Sequence, residues 1–233
     1  MEKLYTTFVL LLVFTLGFSQ NENESQPIPS DVENEKSNFS LDYYFGIGML
    51  YTDALDINPY LSESNVPTVR RFPFEFSLGM TGDFGKNRID LDVGFYNQER
   101  ERDNFGHKVN SANLTLRYLR NVVQFENKNQ IFIGAGLSYM TSELEFFDKS
   151  ETIDLDDPES FGDLAKLNNN QFYVSPGIGY SILSSKDNEE HLRIQLSYDI
   201  NITNSSWDSD YARVSNSKDE TGNRFRLQLI FPF

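Results

Sequence analysis

Apolar side chains recur at every second position in eight separate segments of this chain. The clearest is the C-terminal one, where Phe225, Leu227, Leu229, Phe231 and Phe233 alternate with mainly polar or charged residues. A period of two is that of a β-strand, whose successive side chains point to opposite faces. The sequence therefore predicts eight strands, each with one apolar and one polar face.

The seven other apolar faces lie upstream, and no charged or amide side chain interrupts them. They run, at every second position, from Leu41 to Tyr51, Phe72 to Met80, Ile89 to Phe95, Ala112 to Tyr118, Ile131 to Tyr139, Phe172 to Ile182 and Leu192 to Ile202. Short turns rich in Gly, Asn and Asp alternate with longer polar loops between strands. We therefore expect short and long connections at opposite ends of the sheet. Pro73 and Pro176 fall inside these segments, and a bulge or a strand end is expected near each.

Two all-β architectures could bury such a pattern. A soluble barrel of the lipocalin kind turns its apolar faces inward around a ligand, whereas a transmembrane barrel turns them outward to lipid. Here the apolar faces carry large side chains and the polar faces are crowded with Gly and Ser. Because eight strands enclose a space just wide enough for side chains, small residues belong inside. This distribution favours the transmembrane barrel.

The polar faces also carry nearly balanced charge. The charged residues on them are Asp42, Glu75, Asp90, Asp92 and Asp199 against Arg117, Arg193, Arg224 and Arg226. Unpaired charges are costly in a closed interior. We therefore predict a network of ion pairs inside the barrel, with most of the net charge of −15 lying in the tail and the loops.

Aromatic residues gather near the two ends of the predicted strands. Those near one rim are Tyr43, Tyr118, Tyr180, Phe231 and Phe233, and those near the other are Tyr51, Phe72, Tyr139 and Phe225. Two such girdles are typical of the two membrane–water interfaces. The predicted fold is all-β: an eight-stranded antiparallel up-and-down transmembrane β-barrel formed by residues 40–233.

The N-terminus predicts export from the cytoplasm. Residues 1–19 combine a basic start, an apolar run too short to span a bilayer, and small residues Gly17 and Ser19 before a cleavage point, as in a secretory signal peptide. Residues 20–39 are acidic and polar, and are predicted to form a flexible tail. The acidic composition argues against nucleic acid as a partner, and the absence of cysteine excludes disulfides and thiolate metal sites.

These patterns resemble the small eight-stranded outer-membrane barrels of Gram-negative bacteria, of the OmpA and OmpX type. The resemblance implies that the tail and the short turns are periplasmic, and that Phe233 is part of the signal read by the barrel-assembly machinery. It also implies a monomer surrounded by outer-membrane lipid and lipopolysaccharide, without a cofactor. The expected function is non-enzymatic: acidic extracellular loops serve a structural, adhesive or partner-binding role, with a protein or a glycan as the possible partner.

Two alternatives remain open at this stage, a surface lipid hydrolase and an accessory barrel of a secretion system. A hydrolase would need a Ser/His/acid arrangement, for which His107 and Ser111 are candidates, whereas His191 is expected to be a periplasmic turn residue. No motif indicates the secretion role.

Two loop features also suggest ligands. Asp154, Asp156, Asp157 and Glu159 could bind calcium, although a solvated acidic loop explains them more simply. Trp207 and Tyr211 could anchor a partner, or pack within their own loop.

Overall fold

The computed structural model describes residues 39–149, 165–184 and 189–233. Within these residues the elements are β1 (Phe39–Thr52), α1 (Asn58–Glu63), β2 (Phe74–Phe84), β3 (Asn87–Arg102), β4 (Phe105–Gln124), β5 (Gln130–Asp148), β6 (Lys166–Leu183), β7 (Glu190–Asn201), β8 (Ser205–Ser206), β9 (Asp219–Glu220) and β10 (Arg224–Pro232). The predicted signal peptide and all but the last residue of the predicted tail lie outside the described residues.

Eight of these strands form one closed antiparallel barrel. The strands β1 to β7 pair in chain order, and β10 pairs with β7 on one side and with β1 on the other. The closing ladder runs from Tyr44 opposite Pro232 to Thr52 opposite Arg224. The predicted eight-stranded up-and-down barrel is therefore confirmed. We call the end that holds the β2–β3 turn and Phe233 the turn end, and the opposite end the loop end.

The apolar faces point outward. Phe76, Leu78 and Leu137 expose about 60% of their surface, at 62%, 63% and 59%. Side chains of the opposite parity, such as Tyr44 and Gln228, are buried. In a water-soluble protein so large an apolar surface would be a liability, whereas lipid tails solvate it. The predicted orientation of the two faces is confirmed.

Aromatic pairs bound this apolar surface at both ends. At the turn end the rings of Phe45 and Phe231 stack with centroids 4.9 Å apart, and Phe125 meets Tyr180 edge-on at 6.2 Å. At the loop end Tyr51 packs on Phe72, and Tyr139 on Phe172, each at 4.7 Å. Cross-strand ring contacts of this kind stabilise neighbouring strands as well as marking the interfaces.

The strands continue farther at the loop end than the alternation predicts. The prediction of a long polar loop between the third and fourth strands is wrong. β3 and β4 instead continue as a hairpin joined only by Asp103 and Asn104. Asp103 has a φ of 56°, a left-handed conformation that Asp tolerates in tight turns. Beside them, β5 extends as far as Asp148 and β6 begins at Lys166. Four strands therefore project beyond the apolar surface.

The two prolines disturb the sheet in different ways. Pro73 precedes β2, as expected of a strand end, and its carbonyl accepts a hydrogen bond of 3.0 Å from the Leu50 N–H. Pro176 lies inside a continuous β6, opposite Ala135. The ladder between β6 and β7 is interrupted at residues 175–176 without a change of register, because proline has no N–H to donate there. The expected bulge or strand end is therefore absent at Pro176.

No helix in the described part of the chain is long and apolar enough to cross a bilayer.

Candidate functional site

The alternation of each strand brings polar side chains together in the lumen, and two glycines make room for them. A Cβ on Gly79 would lie 2.5 Å from the ring of Tyr44. A Cβ on Gly94 would lie 2.6 Å from the Asn113 amide nitrogen and 2.9 Å from the Glu75 carboxyl carbon. At these distances a Cβ would force Tyr44, Asn113 and Glu75 to shift, so glycine lets the large polar groups cross the narrow interior in their present positions.

The first group of lumen charges lies at the turn end around Arg88. Its Nε is 2.7 Å from Asp83 Oδ1 and its Nη1 is 3.0 Å from Glu190 Oε2. The guanidinium also lies 4.3 Å above the ring centroid of Phe132. The sequence analysis did not include Arg88, although it shares the inward parity of Asp90 and Asp92. That shared parity could have placed Arg88 in the lumen from the sequence.

The second group occupies the middle of the barrel. Arg117 Nη1 lies 2.5 Å from Asp92 Oδ2, and the Tyr44 hydroxyl donates to the same oxygen at 3.0 Å. Arg193 Nη1 lies 3.2 Å from Asp90 Oδ2. These residues come from β1, β3, β4 and β7, so the ion pairs connect opposite walls of the barrel.

The third group lies toward the loop end, around Asp199. Its Oδ2 is 3.1 Å from Arg224 Nη2 and 3.2 Å from Arg226 Nη2. Arg226 Nη1 is also 3.6 Å from Glu75 Oε1. The guanidinium of Arg224 stacks 3.7 Å from the ring centroid of Tyr173, a contact that adds cation–π attraction.

Together the structure buries eight of the nine charges that the sequence analysis placed in the lumen. They are Glu75, Asp90, Asp92, Asp199, Arg117, Arg193, Arg224 and Arg226, each at most 2% exposed. The ninth, Asp42, is exposed at the turn end, and no described lysine or arginine lies within ion-pair distance of it. Asp42 is the next inward-facing position of β1 after Tyr44 toward the turn end, where the lumen opens to solvent. These four carboxylates and four guanidiniums balance in charge, and we call the eight residues the lumen network.

Above the polar lumen, at the loop end, an apolar core forms. It consists of Ile57, Leu61, Val69, Val109, Leu144 and Trp207. Three of these residues come from the β1–β2 connection with α1, two from the projecting parts of β4 and β5, and one from the β7–β10 connection. We call this group the cap cluster. The sequence analysis missed it, because its members are isolated apolar residues without a strand period.

The buried carboxylate of Glu220 helps to join the two connections that build the cap. Glu220, on the β8–β9 ribbon, accepts hydrogen bonds from the Asp56 N–H at 2.8 Å, the Ile57 N–H at 2.9 Å and the Trp207 Nε1–H at 2.9 Å. Burial raises the pKa of Glu220, and the three hydrogen bonds oppose that rise in part. Glu220 therefore satisfies the two backbone N–H groups that lead into α1, whose N-cap residue Ile57 makes no side-chain capping bond.

The candidate hydrolytic residues do not form a Ser/His/acid arrangement. His107 is fully buried, and its ring faces the backbone of Pro67 rather than a serine or a carboxylate. Burial and the Arg100 guanidinium lower its pKa. The Ser111 Oγ instead lies 2.8 Å from Ser142 Oγ. His107 and Ser111 are four residues apart on one strand, roughly 13 Å along it. His191 is exposed in β7 rather than in a turn.

The other residues singled out from the sequence are separated in the structure. Trp207 is buried in the cap cluster, whereas Tyr211 is 76% exposed. Phe233 is exposed, and its N–H donates to the Tyr43 carbonyl at 2.9 Å. The calcium candidates Asp154, Asp156, Asp157 and Glu159 lie outside the described residues. Among the described ones, no group of three or more His, Asp or Glu residues could hold a metal ion.

Comparison with known proteins agrees with this geometry at the level of the fold. No protein-family model matches the chain, and no curated protein sequence matches it. A major outer membrane protein from Thermus thermophilus superimposes with a TM-score of 0.50 at 11% identity, over 83% of this chain and 100% of its own. The fold is that of the small eight-stranded outer-membrane barrels of the OmpA and OmpX type.

Two other solved barrels of this type cover the chain to a similar extent. The attachment invasion locus protein Ail of Yersinia pestis has a TM-score of 0.48 at 11% identity, over 84% of this chain and 97% of its own. OprG of Pseudomonas aeruginosa has a TM-score of 0.44 at 16% identity, over 83% and 95%. At these values the likeness concerns the barrel alone.

Proposed function

We propose that this barrel is a non-enzymatic protein of the bacterial outer membrane that displays a folded surface at its loop end. The observation that carries the proposal is the outward apolar surface between two aromatic girdles, wrapped around a neutral lumen network. Such a cylinder is stable where lipid solvates the outside and ion pairs satisfy the inside.

The proposed orientation places the turn end in the periplasm and the loop end outside the cell. Phe233 then lies at the periplasmic rim, where the assembly machinery would read it. The strands are joined at that rim by short connections, as is usual for periplasmic turns. The predicted signal peptide over residues 1–19 is consistent with export by this route.

At the loop end, the proposed role is structural or partner-binding. The cap cluster fixes the β1–β2 and β7–β10 connections, and the β3–β6 strands project roughly 20 Å beyond the girdle. A preorganised surface loses less conformational entropy on binding than flexible loops do. Adhesion to a protein or a glycan is therefore a fitting role for this end.

Cysteine labelling in intact cells tests the location and the orientation together. The natural chain has no cysteine, so a single substitution supplies a unique site. Tyr211→Cys lies at the loop end, and Lys86→Cys lies in the β2–β3 turn; both positions are exposed. A membrane-impermeant maleimide should label Tyr211→Cys on whole cells, and Lys86→Cys only after the outer membrane is permeabilised.

The barrel should also fractionate with outer membranes and migrate faster on gels when it is not heated. Labelling of Lys86→Cys on whole cells, or recovery of the chain as a soluble protein, would contradict the proposal.

A further inference from the structure

A cavity of about 700 Å³ opens at the loop end on the outer side of the β1–β2 connection. It lies between α1 and the projecting part of β3, and Arg70, Arg71, Arg100 and Phe72 are among its lining residues. We call it the arginine pocket. Its volume falls within the range of small-molecule sites, roughly 300–1,000 Å³.

The arginine pocket is positively charged in a chain whose net charge is −15. Arg70 and Arg71 are exposed, and no described carboxylate oxygen lies within ion-pair distance of either guanidinium. The one acid in the lining, Asp56, is turned to another partner: its Oδ2 accepts from the Thr221 N–H at 2.8 Å and from the Thr221 hydroxyl at 2.7 Å. Two cationic groups are therefore left available to a ligand.

The pocket is held rigidly at the height of the loop-end girdle. The Arg71 carbonyl accepts from the Thr52 N–H at 3.0 Å, which pins this segment to β1. Arg100 Nη1 donates to the Thr68 carbonyl at 2.8 Å and so ties the connection to β3. Phe72 both lines the pocket and packs on Tyr51 in the girdle. The cations thus lie directly above the outward apolar surface.

From this placement we propose that the arginine pocket binds a phosphate group on the headgroup of an outer-leaflet glycolipid. Guanidinium groups match phosphate oxygens with paired hydrogen bonds, better than lysine does. A lipid whose chains lie against Phe72, Phe74 and Phe76 would carry its headgroup to the level of Arg70 and Arg71. The proposal rests on the outer-membrane location proposed above, and it deepens that proposal by naming a lipid partner.

The test compares lipid binding by folded full-length barrels in detergent. The substitutions Arg70→Gln and Arg71→Gln are made together, and diphosphorylated lipid A in mixed micelles is the probe. We expect binding about 30-fold weaker than in the natural chain, because each of the two basic groups near an anionic surface contributes about a fivefold factor. Lipid A without its phosphates should bind both proteins equally weakly.

A matched control changes the charge by the same amount at the opposite end. Lys86→Gln together with Arg120→Gln removes two exposed cations at the turn end, and should leave binding within about twofold of the natural chain. Equal weakening by both pairs, or no weakening by the pocket pair, would overturn the assignment. So would inorganic phosphate binding as tightly as lipid A, since the site would then take a soluble anion.

Fractionation separates this proposal from the one on which it rests. The variant with Arg70→Gln and Arg71→Gln should still enter the outer membrane with the labelling pattern described above. If the variant reaches the outer membrane and binds lipid A as tightly as the natural chain does, the lipid-binding proposal alone is overturned. If the natural chain is not found in the outer membrane, both proposals are overturned.

Discussion

At the scale of single residues, Asp199 has the largest predicted effect, because its one carboxylate lies within 3.2 Å of both Arg224 and Arg226. Asp199→Asn keeps the shape but leaves two buried guanidiniums with only Glu75 as a charged partner nearby. Breaking a buried ion pair from one side costs about 3–5 kcal/mol. We expect a loss of that size in the free energy of unfolding, measured by urea titration of the barrel in lipid bilayers.

Asp42→Asn is the matched control for this prediction. Asp42 has the same inward parity and the same chemistry, but it is exposed, so the substitution should change stability by less than about 0.5 kcal/mol. If the two substitutions destabilised the barrel equally, burial of the lumen network would not be the source of the effect.

At the scale of elements, the cap is expected to open independently of the barrel. Glu220→Ala removes the acceptor of three hydrogen bonds and leaves the Asp56, Ile57 and Trp207 donors without a partner, each at a cost of about 1–3 kcal/mol. Hydrogen exchange at the Leu61 amide should become at least about tenfold faster. Exchange in the paired parts of β1 and β10 should stay unchanged.

The neighbouring substitution Asp219→Ala controls for the loss of a carboxylate from the β8–β9 ribbon, since Asp219 is exposed. It should leave exchange at Leu61 as it is in the natural chain. Faster exchange throughout the barrel in Glu220→Ala would show instead that cap and barrel unfold as one unit.

The elements also show which structural features a sequence pattern can predict. Alternation identified the eight strands and their outward faces, because lipid imposes one apolar face on each of them. Beyond the girdle no lipid imposes an apolar outer face on a strand, so segments such as Gln98–Arg102 and Lys166–Asn170 carry no such pattern. The projecting strands and the cap cluster were therefore not predictable from the period of two.

For the lumen network, the composition was predictable but the partners were not. Parity placed Asp90, Asp92 and Arg117 inside. Which carboxylate meets which arginine depends on strand stagger and on pairs across the barrel, such as Arg193 with Asp90, and no local pattern contains that information. The same limit explains Asp42, whose parity is inward although the end of the lumen leaves it in solvent.

At the scale of the whole molecule, we expect a barrel that does not conduct ions. The four arginines of the lumen network and their carboxylates span the lumen, and an eight-stranded interior has room for little else. In planar bilayers the natural chain should give no single-channel steps. A variant whose residues 55–69 are replaced by a short Gly-Ser linker should be equally silent, because the lumen network rather than the cap fills the barrel.

Single-channel steps from the natural chain would contradict this view of the interior. Steps seen only after the replacement would assign the block to the cap instead.

Trp207 has a consequence for experiments, because it is the only tryptophan in the chain and its indole is buried against Glu220. Ultraviolet excitation at wavelengths longer than the twelve tyrosines absorb therefore selects one fluorophore, and that fluorophore lies in the cap. The wavelength and the quenching of its emission will follow the opening of the loop end in real time, without any attached label and whatever the state of the rest of the cylinder.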